Sequence, residues 1–236
     1  MSEITDPEIQ NSPKIYKTFK AKSKNSNNLI EYTIKDLLPT YYDDAISIIY
    51  DTITDEPLSV SRRIFDYEDT MKAKKKGWRN MLNKGLSIGC FNDIGELVGL
   101  NVLSIACEDE EVRIDTTDKN IKDSIKLMLY TNKEAEIFKK YNVDKYLTSM
   151  GLCVRPEYRG RRIATELLKV RPQIMKNLGL TLSVTTFTSR GSQGAAKSAG
   201  FEDVYVIRYE DLKKVSPNLD FVNGISEYYK IMAIQI

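Results

Sequence analysis

The chain has 236 residues and a mass of 27.0 kDa, enough for one well-packed domain and cramped for two. Apolar residues make up 42% and charged residues 29%, with a formal charge of +2 in mixed signs, which argues against global disorder and against a nucleic-acid partner. Histidine is absent, so His-based general bases, His-activated nucleophiles and His-rich metal sites are excluded. Acid–base work therefore falls to Glu, Asp, Tyr, Lys, Ser, Cys or water.

Residues 1–13 read as a loose polar tail, without the apolar core of a signal peptide. No apolar stretch approaches the ~20 residues of a membrane span. Cys90, Cys107 and Cys153 are too far apart for a CxxC pair and sit among apolar neighbours, so small buried thiols are expected. A reducing, cytoplasmic setting without a membrane partner follows. Lys14–Lys22 and Leu29–Lys35 alternate apolar and polar positions around the polar stretch Ser23–Asn28, the pattern of a hairpin. On this reading residues 1–28 form a polar extension, partly a hairpin strand, and residues 29–236 form one domain.

A helix is predicted over Pro39–Thr52, with Tyr42, Ala45, Ile46, Ile49 and Ile53 at helical spacing and Pro39 in its first turn. Asp55-Glu56-Pro57 interrupts the pattern. Asp66–Lys84 reads as a second helix whose Lys72–Lys76 run forms a solvated face. Leu86–Phe91 and Leu97–Cys107 read as a strand pair turning at Asn92–Glu96. Ile121–Tyr141 has helical periodicity. Then follow a strand (Tyr146–Val154), a helix (Arg162–Leu178) that Pro172 should kink or divide, and a strand (Leu180–Phe187). A short helix (Ser192–Ala199) and strands over Phe201–Tyr209 and Tyr228–Ile234 complete the chain. This alternation defines an α/β fold with a mixed sheet.

The chemistry concentrates after Val154. A loop carrying Arg159, Gly160, Arg161 and Arg162 leads into a helix with Ile163, Leu167, Val170, Ile174 and Leu178 on its inner face. A helix start presents unpaired N–H groups and a positive dipole end, which suits a pyrophosphate; a solvated turn is the plainer alternative. Val154-Arg155-Pro156-Glu157-Tyr158-Arg159-Gly160-Arg161-Arg162-Ile163-Ala164 resembles the acyl-CoA signature R/Q-x-x-G-x-G/A of GNAT acyltransferases. Arg159 fills its first position and Ala164 its last, while Arg162 replaces the central Gly. A left-handed Arg162 would be strained, whereas a helical one would donate its N–H and add a cation; the helical conformation is expected.

The resemblance continues in Phe187–Phe201, with its Gly200-Phe201 ending. Asp55-Glu56-Pro57-Leu58, Gly85–Ile88 and Gly95–Gly99 are similar to the insect arylalkylamine N-acetyltransferases, the dopamine N-acetyltransferases included. It covers roughly Ile30–Tyr209. It implies a twisted mixed sheet flanked by helices and splayed between two mid-sheet strands, with acetyl-CoA as co-substrate and no metal.

The same resemblance implies that Glu56 is the general base, acting through water; an exposed loop carboxylate or a helix cap is the structural alternative. Ser192 is matched to a serine near the thioester sulfur, and is also a natural N-cap for its helix. Leu152, Cys153 and Val154 would pair with the pantetheine amides. Arg159, Gly160, Arg161, Arg162, Ile163, Ala164 and Ser189 complete the cofactor set. Thr188 is assigned to the acceptor pocket beside Asp55, whose role is chiefly structural. Gly194, Ala195 and Ala196 leave a face of little bulk, suited to a passing pantetheine or to tight packing. Tyr205 and Tyr209 are weaker candidates for an acid, and Cys153 for an acyl carrier. The expected reaction is direct attack of a primary amine on acetyl-CoA, with dopamine, serotonin or octopamine first among acceptors. Polyamines such as agmatine, peptides, and a noncatalytic CoA-binding role are the alternatives. A monomer or weak dimer is expected.

Overall fold

Alternating side chains make the first two strands a hairpin: β1 (Ile15–Lys22) pairs antiparallel with β2 (Leu29–Asp36), and Phe19 stacks on Tyr32 with ring centroids 5.4 Å apart. The computed structural model describes residues 12–22, 28–110, 116–216 and 226–236, so the tail and most of the expected hairpin turn lie outside the described residues. β3 (Ile88–Phe91) and β4 (Leu97–Cys107) follow as the expected pair, then β5 (Lys145–Val154), β6 (Leu182–Phe187), β7 (Glu202–Arg208) and β8 (Tyr228–Gln235). Among the described residues these form one sheet in the order β1-β2-β3-β4-β5-β6-β8-β7, with β1 and β7 at its edges.

β4 is buried along Leu97–Ser104 because helices cover both faces, which explains its nearly unbroken apolar run. On one face α1 (Tyr42–Thr52) and α3 (Glu68–Leu82) contribute Ala45, Ile48, Ile49 and Leu82 against Leu100 and Val102. On the other, α6 (Ile163–Lys169) and α7 (Arg171–Leu178) set Ile163, Leu167, Ile174 and Met175 against Val98, Leu103 and Leu147. α6 and α7 replace the single predicted helix. Pro172 lacks an N–H and its ring opposes a continuous helix, so the chain breaks at Val170 and restarts with Arg171.

Other boundaries shift for local reasons. Asp55-Glu56-Pro57 does not simply interrupt: it opens α2 (Pro57–Ser61), with Pro57 in the first turn. The predicted Ile121–Tyr141 helix divides into α4 (Lys119–Ala135) and α5 (Ile137–Tyr141), because Glu136 takes a left-handed conformation with φ 44°. The turn brings Phe138 to 5.0 Å from the Tyr146 ring. α8 (Arg190–Ser198) starts two residues earlier than predicted, and the short α9 (Tyr209–Leu212) follows β7. Cys90 and Cys153 are buried, but Cys107, at the end of β4, is only half-buried. No helix among the described residues is long and apolar enough to cross a membrane.

The sheet parts in its middle. Every other neighbouring pair is an antiparallel ladder, but β5 and β6 run parallel and pair, among the described residues, only at Leu147 and Ser183. A bulge accompanies the parting: the register with β4 passes from Ser149 to Gly151, leaving Met150 over. Met150 is 54% exposed on a central strand, so none of the described residues covers the sheet there.

Gly99 sits where β4, β5 and α6 approach most closely. A Cβ there would lie 3.0 Å from the Cys153 carbonyl oxygen and 3.1 Å from Ile163 Cγ2. Gly99→Ala is expected to lower stability by about 1–3 kcal/mol, the usual cost of overpacking. Urea denaturation would read this as a lower midpoint with unchanged slope.

Candidate active site

β5 continues along β4 through Arg155, whose N–H reaches the Val98 carbonyl at 2.9 Å and whose Nε reaches the Leu97 carbonyl at 3.0 Å. Beyond it lies the basic loop, and its three arginines divide. Arg159 forms an ion pair with Asp55 and donates from Nε to the Val154 carbonyl at 3.2 Å. Arg161 donates to Tyr32 Oη at 2.6 Å and to the Glu157 carbonyl at 3.0 Å, with its guanidinium 4.7 Å from the Tyr158 ring centroid. Arg162 is exposed, and its side chain has no hydrogen bond or ion pair among the described residues. The cation most available to an anion is thus the one standing in place of the signature's glycine.

Its backbone corrects the expectation of a helical angle. Arg162 caps α6 in the left-handed region, φ 64° and ψ 11°, two residues after Gly160 at φ 81°. The loop needs two such reversals to turn from β5 into α6, and glycine serves only the first. The first intrahelical bond, Glu166 N–H to the Arg162 carbonyl at 3.0 Å, leaves the N–H groups of Ile163 and Ala164 without helical partners. A left-handed non-glycine residue costs roughly 1–2 kcal/mol.

On the α1 face, Glu56 is half-buried and caps α2. Its Oε1 accepts from Leu58 N–H at 3.1 Å, and its Oε2 from Ser59 N–H at 2.7 Å and Ser59 Oγ at 2.6 Å. The cap reading therefore holds in full, and it fixes the carboxylate. From there its charge acts on Cys153 of β5 and on Arg62, Lys74, Tyr209 and Tyr229. Burial pulls the Arg62 guanidinium and the Lys74 ammonium below their ordinary pKa values, and Glu56 opposes both shifts. Arg62 is 9% exposed, with Nη1 donating to Ser124 Oγ and Nη2 without a partner among the described residues. Lys74 thus departs from the solvated face expected of Lys72–Lys76. It lies within reach of the charges of Glu56 and Arg62, which flank α2, and of the Asp118 cap of α4, and burial dominates its titration.

The remaining predicted residues lie along the parting. Cys153 is buried at the end of β5, between half-buried Leu152 and Val154, and burial pushes its thiol up to about 11. A thiol held protonated at neutral pH is a poor acyl carrier. Ser189, not Ser192, is the N-cap of α8; Ser192 stands three residues in, and the two form a reciprocal capping box. The Ser192 hydroxyl donates to the Ser189 carbonyl at 3.0 Å while accepting from the Ser189 N–H and hydroxyl. Thr188 is half-buried and its carbonyl accepts from Tyr209 Oη at 2.7 Å, which engages that hydroxyl. Tyr205 lies apart, facing Tyr130 and Glu134. Of the small residues on α8, Ala195 and Ala196 pack into the core, whereas Gly194 faces open space.

Arg62 and Met150 have no role in the sequence analysis, and Lys74 enters it only as part of a solvated face. The two cations carried no signal beyond composition, and a bulge leaves no mark in a single sequence.

A mixed sheet parted at one parallel contact, with a basic helix start on one strand and a fixed carboxylate on the neighbouring face, defines an acyltransferase scaffold. The chain belongs to the acetyltransferase (GNAT) family, whose model matches residues 50–201. Its structure resembles that of the Aedes aegypti protein described as a putative arylalkylamine N-acetyltransferase 7, with a TM-score of 0.89 and 32% identity over 94% of this chain and 95% of that one. Arylalkylamine N-acetyltransferase 2 of the same mosquito (TM-score 0.77, 22% identity, 87% and 99% covered) shares the fold. So does a Drosophila melanogaster polyamine N-acetyltransferase that forms N-acetylagmatine (0.75, 16%, 87% and 100%). Among curated proteins none matches the chain.

Arg162→Gly is expected to raise stability by about 1 kcal/mol by relieving the left-handed backbone. A rise in the urea midpoint checks it, and an unchanged or lower midpoint would mean that the loop carries no strain.

Proposed function

We propose that the protein transfers the acetyl group of acetyl-CoA to a primary amine by direct attack, with an arylalkylamine such as dopamine, serotonin or octopamine as acceptor. One observation carries the reading: the Glu56 carboxylate, fixed by Leu58 and Ser59, is near enough to Cys153 of β5 and to Arg62 and Lys74 for its charge to act on all three. In this scheme the CoA diphosphate meets the α6 start, Arg162 and the N–H groups of Ile163 and Ala164. The pantetheine arm follows Val154, Cys153 and Leu152 into the parting, and the sulfur end reaches the Ser189–Ser192 box.

The ammonium of the acceptor gives a proton to Glu56, directly or through one water. The neutral nitrogen attacks the thioester carbonyl, which backbone N–H groups at the β5 bulge polarise. The tetrahedral intermediate collapses, the C–S bond breaks, and the second amine proton ends on sulfur. Glu56 keeps one oxygen, Oε1, with a single hydrogen bond and so with room to accept. Ser192 would have to release the Ser189 carbonyl to donate to the sulfur. Asp55, through its pair with Arg159, ties the acceptor side to the cofactor loop.

The name of the mosquito relative at 32% identity supports an arylalkylamine acceptor. Charge supports it independently. Arg62 and Lys74 stand beside Glu56, so an acceptor bringing a second cation, such as agmatine, meets repulsion that an aromatic ring does not.

Free CoA release, measured over arylalkylamines, agmatine, spermidine and a peptide amine, is expected to give the highest kcat/KM with the arylalkylamines. Glu56→Gln should lower kcat by about 10²–10⁴-fold, the usual weight of a general base, with a small change in KM. Undiminished turnover would remove Glu56 from its role, and faster turnover of agmatine than of any arylalkylamine would remove the acceptor class.

A further inference from the structure

Arg171 is fully buried, at 0% exposure, and it bonds no carboxylate. Its Nε and Nη2 both donate to Asn101 Oδ1, at 3.0 and 2.9 Å, while Nη1 donates to Ser183 Oγ at 3.1 Å and Thr185 Oγ1 at 2.7 Å. Asn101 passes the contact on, its Nδ2 donating to Ser149 Oγ at 2.6 Å and to the Gly151 carbonyl at 2.7 Å. The guanidinium thus joins β4 and β6 and, through Asn101, holds β5 on both sides of the Met150 bulge. It sits at the root of the parting, beside the Leu147–Ser183 contact.

Neutral acceptors take four hydrogen bonds from the five N–H groups of Arg171 and leave its charge uncompensated. Burial lowers its pKa to about 9, so it remains a cation at neutral pH. The nearest carboxylate along the chain, Glu166 of α6, is already held by Lys17 and Lys169. Phe201 lies against the guanidinium, with its ring centroid 5.5 Å away. Burying a charge without an opposite charge beside it is costly, so packing alone does not account for a cation here. A buried cation tied to strands on both sides of the parting is placed to act on an anion that enters it.

We infer that Arg171 is a positioning residue for the sulfur end of the acyl-CoA, holding the root of the parting open and lowering the pKa of the CoA thiol there. The inference rests on acyl-CoA binding in the parting as proposed above. A cofactor whose diphosphate lies at the α6 start runs its arm back along β5 from Val154 toward Ser149. The last group to arrive, at the deepest point, is the sulfur. As the C–S bond breaks, its electron pair stays on sulfur, and that thiolate meets the field of a cation that water does not screen. The proton released by the acylated nitrogen then neutralises it.

The other groups facing this point are few. Cys153 on β5 has its own thiol pushed up to about 11 and does not titrate near neutrality. Asp55 and Glu56, from the α1–α2 connection, oppose a thiolate; Arg159, paired with Asp55, favours one. Ser192 at the α8 start offers a hydroxyl without charge.

The test compares the dissociation constants of CoA and desulfo-CoA by calorimetry at pH 6 to 8. If the bound thiol is more acidic than a free one, ordinarily near 8.5, binding releases a proton and CoA affinity rises with pH between the two pKa values. The wild-type CoA affinity, taken relative to desulfo-CoA, should rise by about tenfold over that range, the effect of a shift of one to two units. Arg171→Met, shown folded by circular dichroism, should reduce the rise to less than about twofold, and Arg171→Lys should retain part of it. A rise that survives in Arg171→Met overturns the inference. A wild-type ratio independent of pH overturns it too, whether or not the variants fold. Failure of both ligands to bind would instead overturn the acyl-CoA reading itself.

Discussion

The parting of β5 from β6 is the constraint on which the rest of the molecule depends. Strands that separate inside a sheet abandon backbone hydrogen bonds, and buried backbone groups rarely go unpaired. Side chains meet part of the demand. Asn101 of β4 takes the Gly151 carbonyl, and Ser183 and Thr185 of β6 accept from Arg171, which also donates to Asn101. These polar residues sit among apolar strands because the ladder they interrupt would otherwise leave groups unsatisfied. The remainder of β5 and Met150 stay open, and that opening is the cleft.

Seen from the cleft, several residues serve structure and chemistry together. Glu56 caps α2 with both carboxylate oxygens, so the helix that orients it also limits its movement. The Ser189–Ser192 box closes the α8 start on itself. Such arrangements preorganise a site, since the side chains do not have to be ordered when a ligand arrives. They also mean that substitution at Glu56 removes a cap, worth about 1 kcal/mol, along with whatever the carboxylate does to a substrate.

Much of this was legible in the sequence. Periodicity gave the strands and most helices, and Pro172 announced the break between α6 and α7 because its effect is local. What escaped depended on tertiary context. Arg162 was expected to be helical, since an L residue avoids the left-handed region; the turn into α6 overrode that preference. Lys74 looked like its solvated neighbours until α2 and α4 closed over it. Arg171 left a trace: it lies four residues after Leu167 and so falls on the apolar face of the predicted helix, where a cation has no reason to be unless it is answered from across the sheet.

The two edges of the sheet carry a consequence of a different kind. An outermost strand exposes a row of unpaired amides and carbonyls, and another chain can add to it. β1 discourages such addition with Lys17, Lys20 and Lys22 and with an irregular register between Ile15 and Lys17. β7 does so with Glu202, Asp203 and Arg208 and a bulge between Asp203 and Tyr205. Both margins thus oppose edge-to-edge growth into fibrils, while the unpaired stretch of β5 lies inside the sheet, between strands of the same chain, rather than at its rim.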